Sequence, residues 1–142
     1  MKVVLDANIF VSSLVNTQGN PKHIMSAWEE GVFDLLVSVP ILEEVGRVLR
    51  YPRIAKRHKQ DELAIQRFLE LLKNEAILIE PKEQLNVVLE DKSDNRYLEC
   101  ALEGKAQYLV SGDNHLLDIG EYKGIIILPP AAFMVFMSGG EL

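Results

Sequence analysis

The sequence predicts an α/β sandwich, with a parallel sheet of about five strands covered by helices on both faces. Three observations carry this expectation. Short apolar, β-branched runs alternate with segments of helical periodicity. The runs are too short for amphipathic helices and too uniformly apolar for one-sided strands. No repeat, low-complexity run or Pro/Gly/Ser linker interrupts the series.

The elements follow in order. Lys2–Leu5 (KVVL) reads as the first strand, and Leu5-Asp6-Ala7-Asn8 leads into a helical segment. Pro21–Glu30 is helical and stops at Gly31. Asp34–Val37 (DLLV) is the second strand. Val39–Arg50 follows Ser38, an expected N-cap, with Pro40 in its first turn and Pro52 beyond its end. Asp61–Asn74 carries apolar residues at 63, 65, 68, 69, 71 and 72, a helical spacing. Ala76–Ile79 (AILI) gives a third strand, and Asn95–Leu102 a helix that ends before Gly104. Gln107–Val110 (QYLV) and Gly124–Leu128 (GIIIL) complete the strands. Pro129-Pro130 divides the apolar stretch Ile125–Met137 into a strand-like and a helix-like half. Alternating strands and helices with right-handed crossovers make a parallel sheet whose strands are buried on both faces.

Composition narrows the class. The chain has 142 residues, 15 Lys+Arg against 21 Asp+Glu, a formal net charge of -6 and 48% apolar residues. This suits one domain, residues 1–142, with a core that needs no staples. Ordinary apolar and charged content excludes collagen-like, disordered and disulfide-scaffold classes. Cys100 is the single cysteine and makes no intrachain disulfide. Asp6 interrupts the apolar segment that a signal peptide needs, and no uninterrupted apolar run reaches about 18 residues. A cytoplasmic protein that does not enter the membrane is expected. The acidic balance argues against a protein that coats nucleic acid.

In open parallel sheets the site forms beyond the carboxyl ends of the strands. Asp6 follows the first strand there, and Asp113 follows the fourth in Val110-Ser111-Gly112-Asp113-Asn114. Each is also a natural helix N-cap. On a helical wheel, Ile41, Leu42, Val45, Val48 and Leu49 form one stripe; Glu44 borders it, whereas Glu43, Arg47 and Arg50 face away. Asp94 shares the buried face of Leu98 and Ala101 at the start of its helix, where the dipole favours an acid but a buried carboxylate needs a partner. Asp91 is a weaker candidate, and Asp118 has no comparable placement. Four carboxylates at one edge cannot all stay ionised without cations, and oxygen ligands suit Mg²⁺ or Mn²⁺, one or two ions. His23, His58 and His115 are scattered, read as surface residues and make no zinc spacing with Cys100. Divalent ions in such a site activate water and stabilise a leaving oxygen, which is phosphodiester hydrolysis chemistry.

These residues resemble the ordered motifs of PIN-domain ribonucleases. Val3-Val4-Leu5-Asp6-Ala7-Asn8, Ser38-Val39-Pro40-Ile41-Leu42-Glu43-Glu44-Val45, Asp91-Lys92-Ser93-Asp94-Asn95 with Leu98-Glu99-Cys100-Ala101, and Tyr108-Leu109-Val110-Ser111-Gly112-Asp113 with Leu116-Leu117 carry the likeness. The ending Ile127-Leu128-Pro129-Pro130-Ala131-Ala132-Phe133 is similar to the VapC-like branch described as toxin components of toxin–antitoxin systems. The resemblance implies a three-layer α/β/α sandwich and an acidic metal-binding, catalytic quartet of Asp6, Glu44, Asp94 and Asp113. It implies supporting roles for Asn8 and Ser111, an RNA substrate, and a small antitoxin as partner. Removing the quartet leaves 17 acids against 15 basic residues.

Arg47, Arg50, Arg53, Lys56, Arg57 and Lys59 form the one strong charge block, with no acid from residue 45 to 60. They read as an RNA-binding surface or as ordinary solvated surface, and Tyr51 could stack on a base. Two other enzymes fit poorly. A haloacid dehalogenase-type phosphatase needs an acid where Asn8 stands, and a response-regulator receiver needs a lysine after the last strand. The rival from another class is a catalytically silent PIN-like module that binds RNA or protein. The apolar ending Ala131–Met137 either docks on the sheet or forms a symmetric homodimer contact.

Overall fold

The structure, a computed structural model, describes residues 1–139, so the last three residues of the expected 1–142 domain lie outside the described residues. A six-stranded sheet is ordered β3-β2-β1-β4-β6-β5. Its strands are β1 Lys2–Leu5, β2 Asp34–Val37, β3 Ile77–Leu78, β4 Tyr108–Val110, β5 Glu121–Tyr122 and β6 Ile125–Leu128. Every neighbouring pair is parallel except β5 with β6. Register places Val4 of β1 beside Leu36 of β2 and Leu109 of β4, so the apolar runs read from sequence fill the middle of the sheet.

Eight α-helices accompany it among the described residues: α1 Ala7–Val15, α2 Asn20–Glu29, α3 Val39–Leu49, α4 Pro52–His58, α5 Glu62–Glu75, α6 Asn95–Glu103, α7 Asn114–Leu117 and α8 Pro130–Met137. The chain steps from β1 outward to β2 and β3, then returns through α6 across β2 and β1 to β4. Right-handed crossovers therefore set α6 on the face opposite the helices of the first two connections. Val3, Val4, Leu5, Leu35, Leu36, Leu98 and Leu109 are all essentially inaccessible and form the middle of the core.

Four expectations are corrected. The third strand is an exposed sheet edge, not a strand buried on both faces: Ile77 and Leu78 stay 42% and 38% exposed. β5 is an additional, antiparallel edge strand. It joins β6 through Lys123-Gly124, both at positive φ, as a two-residue hairpin turn of the primed type requires. Ser38 occupies the N-cap position of α3 without making a side-chain cap, and its buried hydroxyl makes no hydrogen bond by geometry among the described residues. His58 is buried, not a surface residue. Its Nδ1 accepts the Gln60 N–H at 2.9 Å, which leaves the proton on Nε2 to donate to the Leu49 carbonyl at 2.8 Å. The apolar ending docks within the chain: Phe133 of α8 is fully buried, edge-on to Phe33 and near Tyr108. No helix among the described residues is long and apolar enough to cross a membrane.

Candidate metal centre

The connections from β1 and β4 leave in opposite directions, which opens a crevice at their carboxyl ends. Asp6 enters it from β1. Its Oδ1 accepts the Asn8 N–H at 3.0 Å, capping α1, while Oδ2 accepts the Ser111 hydroxyl at 2.6 Å. Ser111, fully buried after β4, in turn accepts the Asp113 N–H at 2.9 Å. Asp113 caps α7, with Oδ1 accepting the His115 N–H at 2.8 Å. The two aspartates that sequence left between cap and site are thus caps that face one crevice.

Asp94 arrives from α6. A 3₁₀ turn over Lys92–Asp94 delivers it, and Asp91 fixes that turn by accepting the Ser93 N–H and hydroxyl at 3.1 and 2.6 Å. Asp91 therefore shapes the approach. Asp94 is buried, and its Oδ2 has no hydrogen-bond partner among the described residues. Ligand atoms of Asp94, Asp113 and His115 lie within 4.8 Å of one another. The His115 Nδ1 stands 3.6 Å from Asp113 Oδ1 and 3.9 Å from Asp94 Oδ2.

Glu44 joins from the first turns of α3, where Pro40 and the strand β2 fix its start. It is half-buried, beside exposed Glu43, as the helical wheel requires. Arg47, one turn on, holds its carboxylate in an ion pair. Glu44 and Tyr97 line one cavity of about 290 Å³, and the Glu44 charge reaches Asp6.

Electrostatics follow from this crowding. Burial pushes the Asp6 carboxyl above its ordinary range, the Ser111 hydroxyl and Asn8 N–H hold it down, and Asp113 and Glu44 push it up again. Asp94 is pushed up to about 8, first by burial and then by the Asp113 carboxyl beside it. An unpartnered, buried carboxylate oxygen beside a second carboxylate and an imidazole is a donor set with room for a positive charge. All-oxygen donors suit Mg²⁺, and the imidazole adds a group that Mn²⁺ tolerates better.

Two residues escaped the sequence reading. His115 is exposed, as expected of a surface histidine, yet its ring stands at the edge of the Asp94–Asp113 pair. Tyr97, three positions after Asp94 on the same helical face, is buried and its oxygen accepts the Ala7 N–H at 3.2 Å. Burial and the negative charges of Asp6, Glu44 and Asp94 raise its hydroxyl pKa. Asn8 meets Asp6 through its backbone, while its own side chain is exposed.

The basic block divides. Arg47 is taken by Glu44, and Arg50 binds Glu62 through Nε and Nη2 at 2.7–3.1 Å while its Nη1 reaches the Gly46 carbonyl at 3.3 Å. Arg53, Lys56, Arg57 and Lys59, on or just after α4, are exposed and form no ion pair among the described residues.

Comparison with known proteins agrees with this fold. The chain is 31% identical over 119 residues to the uncharacterized protein MJ1680 of Methanocaldococcus jannaschii, covering 84% of this chain and 75% of that one. Its fold is similar to the crystal structure of PAE2754 from Pyrobaculum aerophilum, with a TM-score of 0.63, 19% identity, and 98% and 90% of the two chains covered. It is also similar to VapBC2 from Rickettsia felis, solved bound to a DNA fragment from their promoter. There the TM-score is 0.60 at 15% identity, with 91% and 98% covered. A family model described as PIN domain matches residues 2–115, a span that includes Asp6, Glu44, Asp94 and Asp113, and the chain belongs to that family.

Proposed function

We propose that the protein is a metal-dependent endoribonuclease that hydrolyses RNA phosphodiester bonds. One observation carries the reading. Asp6, Asp94 and Asp113 meet at the switch point of the sheet with Glu44 in electrostatic reach, and the Asp94 Oδ2 is buried without a partner among the described residues. Asp6, Glu44, Asp94 and Asp113 would hold Mg²⁺ or Mn²⁺, one or two ions, with His115 at the rim. When bound, such an ion supplies Lewis acidity that activates water and stabilises the leaving oxygen.

The chain's own groups prepare the site. Ser111 and the Asn8 N–H orient Asp6, which leaves its charge directed into the crevice. Arg47 pairs with the Glu44 carboxylate one turn away. Tyr97 ties the start of α1 to α6, joining the elements that carry Asp6 and Asp94.

The biological role we propose is the toxin of a toxin–antitoxin pair, acting in the cytoplasm, with a small antitoxin encoded beside it. This rests on the likeness of the Ile127–Phe133 ending to that branch. The purified protein should cleave RNA in Mg²⁺ or Mn²⁺, lose cleavage in EDTA, and lose at least about a hundredfold in Asp6→Asn or Asp113→Asn. Cleavage that survives EDTA or these substitutions refutes the metal mechanism. Absence of cleavage on any RNA favours the silent binding module.

A further inference from the structure

Next to the acid crevice, α1 and the α3–α4 corner enclose a cleft of about 460 Å³. Its walls are the half-buried apolar side chains Val15, Val48 and Ile54, and its polar groups include Asn8, Ser12 and Arg57. These polar groups are uncommitted: the side chains of Asn8, Ser12 and Arg57 make no hydrogen bond or ion pair among the described residues. Arg47 and Arg50 are occupied by carboxylates, so Arg57 is the cation of the block that both lines a cavity and remains free.

Position gives the cleft its occupant. Asn8 stands in the first turn of α1, and its backbone N–H binds the Asp6 carboxylate. The cleft therefore begins where the acid centre ends. A polynucleotide with one phosphodiester at the acids must place its neighbouring nucleotide close by. Small apolar walls with a few polar groups suit a flat, partly polar ring. A guanidinium can stack on a base or bind a phosphate, and a carboxamide offers donor and acceptor to a base edge. The exposed cations Arg53, Lys56 and Lys59 extend the positive rim away from the crevice.

We propose that this cleft receives a nucleobase of single-stranded RNA, the nucleotide adjoining the one cleaved, with Arg57 and Asn8 as its polar contacts. The inference deepens the nuclease reading and rests on it for the placement of the phosphodiester.

Fluorescence anisotropy in EDTA tests it with short fluorescein-labelled oligoadenylate, oligouridylate and an abasic oligomer of equal length. Wild type should bind the base-bearing oligomers at least about tenfold more tightly than the abasic one. Ser12→Trp, which fills the cleft, should erase that difference. Arg57→Ala, at an exposed position that does not threaten folding, should weaken binding of the base-bearing oligomers more than of the abasic one. Equal affinity of wild type for base-bearing and abasic oligomers, no binding of either, or a preference that persists in both variants overturns the proposal. Cleavage of the same oligomers in Mn²⁺ separates the two claims. Cleavage with a cleft-independent affinity leaves the nuclease standing and removes the cleft. Cleft-dependent binding without cleavage keeps the cleft as a base site but removes the nuclease, and with it the placement of that base beside a cleaved bond.

Discussion

Ser111 donates its hydroxyl to Asp6 at 2.6 Å, joining two residues 105 positions apart at the ends of adjacent parallel strands. The same oxygen accepts the Asp113 N–H at 2.9 Å, so one buried hydroxyl sets the spacing of two acids. Ser111→Ala leaves a buried carboxylate oxygen and an N–H without this partner. It should cost about 1–3 kcal/mol in urea denaturation. It should also raise the Asp6 pKa further, because the hydroxyl favours the ionised form. Under the proposed function the acidic limb of the rate–pH profile then moves to higher pH. An unchanged limb with lowered stability reduces Ser111 to a packing residue.

Tyr97 supplies a second tether. Its oxygen accepts the Ala7 N–H at the start of α1, where burial keeps water from replacing it. Tyr97→Phe keeps the ring and orphans that N–H, with an expected loss of about 1–3 kcal/mol. The amide proton of Ala7 should exchange faster by the same free energy if the opening is local. Wild-type stability and exchange in the variant would show that Tyr97 holds nothing.

Adjacent Glu43 and Glu44 provide an internal control. Glu43 is exposed, while Glu44 is half-buried with its charge felt at Asp6. Glu44→Gln should reduce RNA cleavage at least about tenfold and weaken Mn²⁺ binding in titration calorimetry. Glu43→Gln should leave both unchanged. Equal effects from the two substitutions would dissociate the centre from α3.

This contrast shows what sequence can carry. The 3.6-residue period chose Glu44 over Glu43 because the apolar stripe of α3 is unambiguous, and β1, β2 and β4 were legible because both of their faces are largely buried, while β6 was legible from its unbroken apolar run although Ile126 stays 38% exposed. The β5–β6 hairpin was not, since Lys123-Gly124 lacks the Asn-Gly or Asp-Gly signature although both residues sit at positive φ. Helix α4 reads as charge because its inward contacts are few, and His58 is buried by two backbone hydrogen bonds that no periodicity reveals. His115 and Tyr97 enter the site through tertiary placement. The i, i+3 spacing puts Tyr97 on the face of Asp94, but nothing local to either residue signals the Tyr97 bond to Ala7 or the approach of His115 to Asp94.

The carboxyl of Asp94 links the centre to folding. Its pKa in the native protein is about 8, above the ordinary 3.8, so the native state binds the proton more tightly than the unfolded chain does. Stability from this group is full below the unfolded value and falls as pH rises from about 4 to about 8, where the carboxylate ionises in a buried place without a counter-charge. In EDTA, the denaturation midpoint should therefore decline across that range, and Asp94→Asn should flatten the decline. A divalent cation that binds only the native state should restore the midpoint, most strongly at the alkaline end where the ligand is already deprotonated. His115→Ala should weaken the effect of Mn²⁺ more than that of Mg²⁺, because imidazole is the donor that the harder ion uses least. If metal raises the midpoint equally in wild type and Asp94→Asn, the ion sits elsewhere, and the orphaned Asp94 oxygen is a cost of the fold alone.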